Sequence, residues 1–464
     1  MMDCNCPSSI IRSDCFSVIR IFSLFFLNIF FIFCSYANIE FQPSERPEHH
    51  FPQLQEIIQL LDENAPELLV STLKLEEAKL NQKVAAAERG FRLGANLSGF
   101  SIQEDRPNRD FDQRYKAFAA IHAQKPLYHW GALRAKESIS LIEKLQAHTD
   151  LSFGKRLLIG EVRSLFLELV VLTFQKELTS EGVRLATQNL KNINQRLGQG
   201  MVSMVDVGES EIALLKQEIE LSELNLLLGK EEARLRSLSG FNDVLDFTVR
   251  SPFMRFCMEY EFPINLPILV ASTNTEIQQL KSLIEKEEQE VLIAESELKP
   301  KINFVGSLYQ DQVDAVSNQD RVNRNNILFG LEVNWALWDS EKSKNKKRAA
   351  LLRKRRHETN LSKANRELRM FTESMRKELL SLSDRIVLSR KLLLSSQLRL
   401  DKCKLEFSQN RKSSSDLLSA QLDLDDAKLS NLKAVCNYMS TLDLYEQQLG
   451  LSTFPISHKN DESE

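Results

Sequence analysis

Leu93-Gly94-Ala95-Asn96-Leu97-Ser98-Gly99-Phe100-Ser101-Ile102-Gln103-Glu104 has a counterpart further along the chain, Pro300-Lys301-Ile302-Asn303-Phe304-Val305-Gly306-Ser307-Leu308-Tyr309-Gln310-Asp311. The two stretches lie 207 positions apart (93 to 300), share an Asn, a Gly and a Gln, and each closes on an acid. Pro126-Leu127-Tyr128 meets Ala336-Leu337-Trp338 at an offset of 210, and Ser203, Asp206 and Val207 meet Ser413, Asp416 and Leu417 at that same offset. A register held over that span reads as a duplicated unit, and internal repetition sets an architecture before any single element does.

Each copy has the same order of elements. In the first, Leu54, Ile57, Ile58 and Leu61 share a helical face, which predicts a helix over residues 54–89. Two strand-length segments follow, 95–104 and 114–124, joined by the polar stretch 105–112. A long helix is expected over 131–195, a turn at 198–200, and a return helix over 203–238 that Ser239-Gly240 stops. The second copy repeats this over 274–450. The expected divisions are a signal peptide at 1–37, an extension at 38–53, a first repeat at 54–240, a linker at 241–273, a second repeat at 274–450 and a disordered tail at 451–464.

The long helices have coiled-coil spacing. Ala364, Leu368, Phe371, Met375, Leu379, Leu382, Ile386, Ser389, Leu393, Ser396, Leu400, Cys403 and Phe407 advance by threes and fours, with an eleven-residue step over 368–379 that locally reverses the supercoil. A helix of about 65 residues is roughly 100 Å long. It cannot bury itself in one compact domain and needs partners as long as itself.

Composition narrows the function. Arg12 and Arg20, the apolar run 21–33 and Ser35-Tyr36-Ala37 follow the order of a secretory signal, and the run is too short to span a bilayer. Cys34 leaves a lipoprotein reading open. Of 7 cysteines only Cys257, Cys403 and Cys436 follow the expected cleavage, too scattered for a metal site or a disulfide framework. A net charge of −4 gives no basic face for nucleic acid. The 7 histidines form no metalloprotease motif, and neither a phosphate loop nor a nucleophile elbow is present, so neither an enzyme nor a cofactor is expected. His49-His50 reads as a solvated entry, and the basic clusters 342–348 and 353–356 read as a solvated helix face, with anionic headgroups as the alternative.

No segment after residue 38 is apolar enough for a transmembrane helix, so membrane insertion would have to use strands. Ile327, Phe329, Leu331, Val333 and Trp335 share one face of a strand, while Gly330, Glu332 and Asn334 share the other. That alternation suits a transmembrane β-strand with a lipid face and a lumen face; a half-buried strand of a soluble sheet reads similarly. Tyr128, Trp130 and Trp338 fall at strand ends, where an interfacial aromatic girdle belongs. Ala117, Ala119, Ile121 and Ala123 make a weaker second case. About eight strands are needed to close a barrel, so a chain with four must pool them in a homo-oligomer.

The duplicated order of helix, strand pair, Pro-Leu-Tyr-His-Trp-Gly (126–131) and long hairpin with Gly-Met-Val-Ser-Met-Val-Asp-Val (200–207) resembles the TolC-like outer-membrane efflux protein family over residues 50–450. The resemblance implies a mainly α fold with a small β part: a trimeric α-barrel tunnel in the periplasm beneath a shared 12-stranded transmembrane β-barrel. It implies a channel in the outer membrane of a Gram-negative-type cell, working with a periplasmic adaptor and an inner-membrane transporter to export small molecules or, as in type I secretion, proteins. Asn64-Ala65-Pro66-Glu67 and Lys299-Pro300 match turns of the family. Thr275, Asn410, Ala336, Ser340 and Glu341 depart from its usual Pro and Gly residues. The family's acidic mouth ring would draw on Asp416, with Ser419 in place of a second acid. Asp206 is the first-copy equivalent, and both acids equally suit helix N-capping. The reading from another class is an exported coiled-coil scaffold or adaptor without a channel.

Overall fold

The computed structural model describes residues 46–106, 109–241, 243–249, 251–259, 274–314, 321–409 and 411–450. The expected signal peptide, Cys34, Asn410, the tail, the first half of the extension and the later part of the linker lie outside the described residues.

A 3₁₀ turn, Pro47–His49, leads into α1, Pro52–Asn64, and α2, Pro66–Ala87. The single helix expected over 54–89 is therefore two. Pro66 forces the break: it lacks an N–H for the helix ladder and pushes Ala65 into an extended conformation, with φ −74° and ψ 118°. Pro66 is then well placed as the first residue of α2. Strands β1, Arg92–Arg106, and β2, Arg109–Tyr128, are longer than expected, because the polar stretch read as a loop is itself largely paired, with Glu104 opposite Asp112. Next come α3, Ala132–Gly198, and α4, Met204–Ser239. A short helix, α5, Ser251–Glu259, lies inside the segment taken as a linker.

The second copy follows with α6, Thr275–Ser296, β3, Lys301–Asp314, β4, Arg321–Asn334, α7, Lys342–Ser408, and α8, Ser414–Leu449. The duplication is metrical. Helices α2 and α6 are both 22 residues long, α3 and α7 both 67, α4 and α8 both 36. The two copies reach the same turns by different chemistry. Where α2 opens on a proline, α6 opens on Asn274, whose side chain accepts from the Ile277 N–H. Trp130-Gly131 and Ser340-Glu341 both take left-handed backbone before the long helix, although only the first pair has a glycine. In the second, Asp339 supports the turn by accepting from the Ser343 N–H at 2.9 Å.

All four strands form one antiparallel sheet in the order β1-β2-β3-β4. The helices pack as a wall. Toward the sheet α2 lies on α3, α3 on α6 and α6 on α7; toward the hairpin tips α4 lies on α3, α3 on α8 and α8 on α7. The seam expected along α7 is largely present: Ala364, Leu368, Met375, Leu379, Ile386, Ser389, Ser396, Leu400 and Cys403 are buried. Phe371 is exposed and its neighbour Thr372 is buried instead, since after Leu368 the inward face advances by four before resuming three.

The main core is a belt across the middle of the long helices. Leu158, Val162, Phe166 and Val170 of α3 meet Leu54, Ile57 and Leu61 of α1 and Val435, Tyr438 and Leu442 of α8. Phe247, Phe253 and Cys257, from the segment read as a linker, are part of it. Arg390 of α7 donates to the Cys257 carbonyl at 3.0 Å and fastens α5 there. His50 is not a solvated entry: its ring is half-buried, with its centroid 4.3 Å from that of Phe256.

One ion cluster is buried in the belt. Arg163 donates from Nε to Glu48 at 2.8 Å and from Nη1 to Asp443 at 2.6 Å. Burial alone would lower the pKa of this guanidinium, and the two carboxylates outweigh burial and raise it. Burial also raises the Asp443 carboxyl, with Arg163 pulling the other way.

Candidate functional site

The sheet register sorts the side chains of all four strands. Leu93, Ala123, Gly306 and Phe329 form one row across the sheet, and Ala95, Ile121, Leu308 and Ile327 the next. Phe304 with Leu331 and Ile302 with Val333 continue the same face. Partners opposite each other in a ladder point the same way, so the apolar positions of every strand gather on one surface. That surface is bare in the single chain: Val333 is 58% exposed, Phe329 76% and Leu97 83%. The opposite face carries Asn96, His122, Ser307, Asn326, Glu332 and Asn334, interrupted by Phe100, Phe118, Val305, Tyr309 and Leu328. The two candidate faces read from β4 alone therefore extend across the sheet, and the Ala-rich side of β2 is a full part of the apolar one.

All strand-to-helix junctions lie at one end of the sheet, and the aromatic residues mark it. Tyr128 and Trp130 pack edge to face with centroids 5.0 Å apart. The Trp130 indole donates to the Pro300 carbonyl at 2.8 Å and the Trp335 indole to the Leu298 carbonyl at 3.0 Å, each tying the end of one strand to the start of another. Trp338 is 81% exposed. His129 meets the buried Asn303 at 2.8 Å.

The basic clusters at the start of α7 are a solvated face only in part: Lys342, Lys344, Arg348, Arg355 and Arg356 are exposed, while four other members pair with α6. Lys346 pairs with Glu297, Lys347 with Glu295 at 2.7 Å, Arg353 with Glu287 at 2.8 Å and Lys354 with Glu288 at 2.9 Å. The cations sit opposite acids of α6 and zip the two helices together. Hydrogen bonding to Glu287 raises the Arg353 pKa.

At the far end of the helices stand the hairpin tips. Ser203 and Ser413 each cap the following helix, and Asp206 and Asp416 complete reciprocal capping boxes. Asp206 Oδ2 accepts from the Ser203 N–H at 2.7 Å, and Asp416 Oδ2 from the Ser413 N–H at 3.0 Å. Bonds from the serine backbone, then from its hydroxyl, hold both carboxyls below their ordinary pKa. Ser419 is exposed on the same helix, one turn on. The tips otherwise differ. Met201, Met204 and Val205 leave the first exposed and apolar, whereas Arg411 and Lys412 make the second basic.

Among the described residues no helix is long and apolar enough to cross a membrane.

Residues 57–241, the first copy, match the family described as outer membrane efflux protein. A comparison with curated proteins finds no match. Solved structures are alike over both copies. CusC, from a study of folding and transmembrane channel formation, aligns with a TM-score of 0.71 at 15% identity, over 86% of this chain and 92% of its own. The outer membrane protein VceC of Vibrio cholerae aligns with a TM-score of 0.69 at 14% identity, over 87% and 97%. The Campylobacter jejuni CmeC outer membrane channel aligns with a TM-score of 0.71 at 13% identity, over 86% and 87%. The sequence match is thus confined to the first copy, and the likeness over both copies is one of fold.

Proposed function

We propose that three copies of this chain assemble head to tail into an outer-membrane export duct, with twelve strands forming a barrel and the helices a periplasmic tunnel. The observation that carries this is the register, which gathers apolar side chains from every strand onto one exposed face. Such a face suits lipid, and in lipid a sheet must close so that no edge is left unpaired. Strands β1 and β4 are the edges. The helical wall has edges on the same two sides, α2 and α4 beside β1, α7 beside β4. Both carry exposed apolar residues, Ile212, Ile219 and Leu226 on α4 and Leu388, Leu394 and Leu398 on α7. Unlike edges that fit each other generate a ring by heterologous contact. The family resemblance sets the number at three.

In this reading Ile327, Phe329, Leu331, Val333 and Trp335 face lipid, Glu332 and Asn334 face the lumen, and Tyr128, Trp130 and Trp338 lie in the interfacial belt. The duct conducts and performs no chemistry. A periplasmic adaptor engages the tips and an inner-membrane transporter supplies the cargo, small molecules or proteins. Asp416 is the gate candidate, with Ser419 and Asp206 beside or equivalent to it.

The test is fractionation followed by electrical recording. The protein should resist carbonate extraction, run in detergent near three times 53.3 kDa, and open channels in planar bilayers. Asp416→Ala should raise single-channel conductance; an unchanged trace leaves that residue its capping role alone. A soluble periplasmic monomer would establish the scaffold reading instead.

A further inference from the structure

A cleft of about 820 Å³ opens at the base of the first copy's strand pair, where the end of α2, the end of β2 and the start of α3 meet. Pro126, Leu127 and Leu133 give it apolar walls, and Arg89, Lys125 and Arg134 bring cations against a single acid, Glu137. That acid is occupied: Arg89 Nη1 donates to its Oε2 at 2.7 Å. Lys125 Nζ lies 4.8 Å from the centroid of the Phe91 ring. Among the described residues neither Lys125 nor Arg134 has an ion-pair partner. The first turn of α3 borders the cleft through Gly131 and Leu133, and the amides at a helix start favour an anion. The lining is thus net positive, offers no open carboxylate to a cation, and has room for a headgroup.

Its position supplies the ligand. Lys125 is opposite Phe304 and Tyr128 opposite Ile302, so both belong to the apolar sheet face and stand at its helical end. An acyl chain lying along Phe329 and Leu331 on that face would bring its headgroup to the cleft. Tyr128 and Trp130 stand at the same level, where aromatic side chains meet the headgroup region. The second copy does not repeat the arrangement. With Pro126–Tyr128 aligned on Ala336–Trp338, Lys125 corresponds to Trp335, whose indole donates to the Leu298 carbonyl at 3.0 Å. Lys125 therefore has no cationic counterpart at the second junction, although Arg134 aligns with Lys344.

We propose that this cleft binds the phosphodiester headgroup of an anionic glycerophospholipid from the leaflet at the helical end of the sheet. The inference rests on the membrane-duct reading above. An anionic lipid is favoured over a zwitterionic one because Glu137, the acid that could receive an ammonium group, is held by Arg89.

The test is native mass spectrometry of the delipidated full-length protein in detergent, titrated separately with phosphatidylglycerol, phosphatidylethanolamine and inorganic phosphate. Phosphatidylglycerol should remain bound, one per chain, at collision energies that strip phosphatidylethanolamine. Lys125→Gln and Arg134→Gln should each weaken its retention about tenfold, which is about 1.4 kcal/mol apiece, and the double variant more. Lys342→Gln with Arg348→Gln, at the start of α7, should leave it unchanged, and the oligomer mass in each spectrum reports assembly. Equal retention in the wild type and the Lys125/Arg134 variants overturns the proposal, as does displacement of the lipid by inorganic phosphate. A detergent-stable trimer indifferent to lipid charge fails the site alone, whereas a monomer that needs no detergent fails the duct reading and the site with it.

Discussion

Arg163 of α3 and Asp443 of α8 join the two copies inside the core, the guanidinium donating to the carboxylate at 2.6 Å while its other side is held by Glu48 ahead of α1. The first repeat, the second repeat and the N-terminal lead-in are thereby fixed by one side chain that is 4% exposed. Removing a single partner of a buried ion cluster leaves charge uncompensated, a loss of about 3–5 kcal/mol. Arg163→Met should lower the urea midpoint accordingly. Glu48→Gln, Arg163→Met and Asp443→Asn together should recover most of the loss, since no buried charge is then left alone.

Gly240 ends α4 in left-handed backbone, φ +67°, and a Cβ there would stand 2.6 Å from the backbone oxygen of Asn64. The obstacle is main chain, next to the Ala65-Pro66 break, and cannot rotate away. Gly240→Ala should therefore destabilise by more than the left-handed strain of about 1–2 kcal/mol.

Glu341 is the reverse case, a residue with a Cβ at φ +62°. Its exposed pairing with Lys344 contributes little. Glu341→Gly relieves about 1–2 kcal/mol of strain and adds about 0.5–1 kcal/mol of unfolded-state entropy. The net expectation lies between no change and a gain of about 1.5 kcal/mol, visible as a raised melting temperature.

The capping boxes make the hairpin tips sensitive to acid. Asp206 and Asp416 have folded pKa values below the ordinary 3.8, so their contribution is full above the unfolded value and is lost as pH falls through the folded one. Amide protection factors over residues 199–207 and 411–417, which divide out the intrinsic slowing of exchange in acid, should fall below about pH 4, while the belt around Phe166 stays protected. Asp206→Asn and Asp416→Asn should remove that pH dependence at their own tips; tips with the same protection factors at pH 3 and pH 6 would refute it.

The two sheet faces should respond oppositely to charge. Phe329→Arg places a cation on the apolar face, at about 2–4 kcal/mol if the position is near mid-membrane, and should deplete the protein from the outer-membrane fraction. Glu332→Arg, on the other face, should insert normally and shift the ion selectivity of the channel instead.

The long helices and the two faces of β4 were legible in the sequence because each rests on local periodicity, and the duplication because matching residues keep one offset of 207–210. The break at Ala65 was hidden from the apolar spacing, which runs on through Leu61, Leu68 and Leu75 while Pro66 interrupts only the backbone; only the family resemblance, which reads 64–67 as a turn, pointed to it. The pairing of Lys346 to Lys354 with Glu287 to Glu297 was hidden as well, since a row of cations on one helix does not say which acids face it. Nor did Arg89, Lys125 and Arg134 form a visible motif: a helix end, a strand end and a helix start bring them together. The capping boxes, with Ser three residues before Asp, could be read directly, and they account for Asp206 and Asp416 whether or not a gate exists.

The buried belt has one more consequence. On α3 it spans Leu158 to Leu172, and Gly198 at the tip lies 26 residues beyond it, roughly 40 Å away. The belt is therefore a fulcrum and the hairpins are long arms. A pivot of about 10° among Phe166, Tyr438 and their neighbours would swing a tip through roughly 7 Å, so a displacement of that size at the mouth asks of the core only a small reseating of side chains.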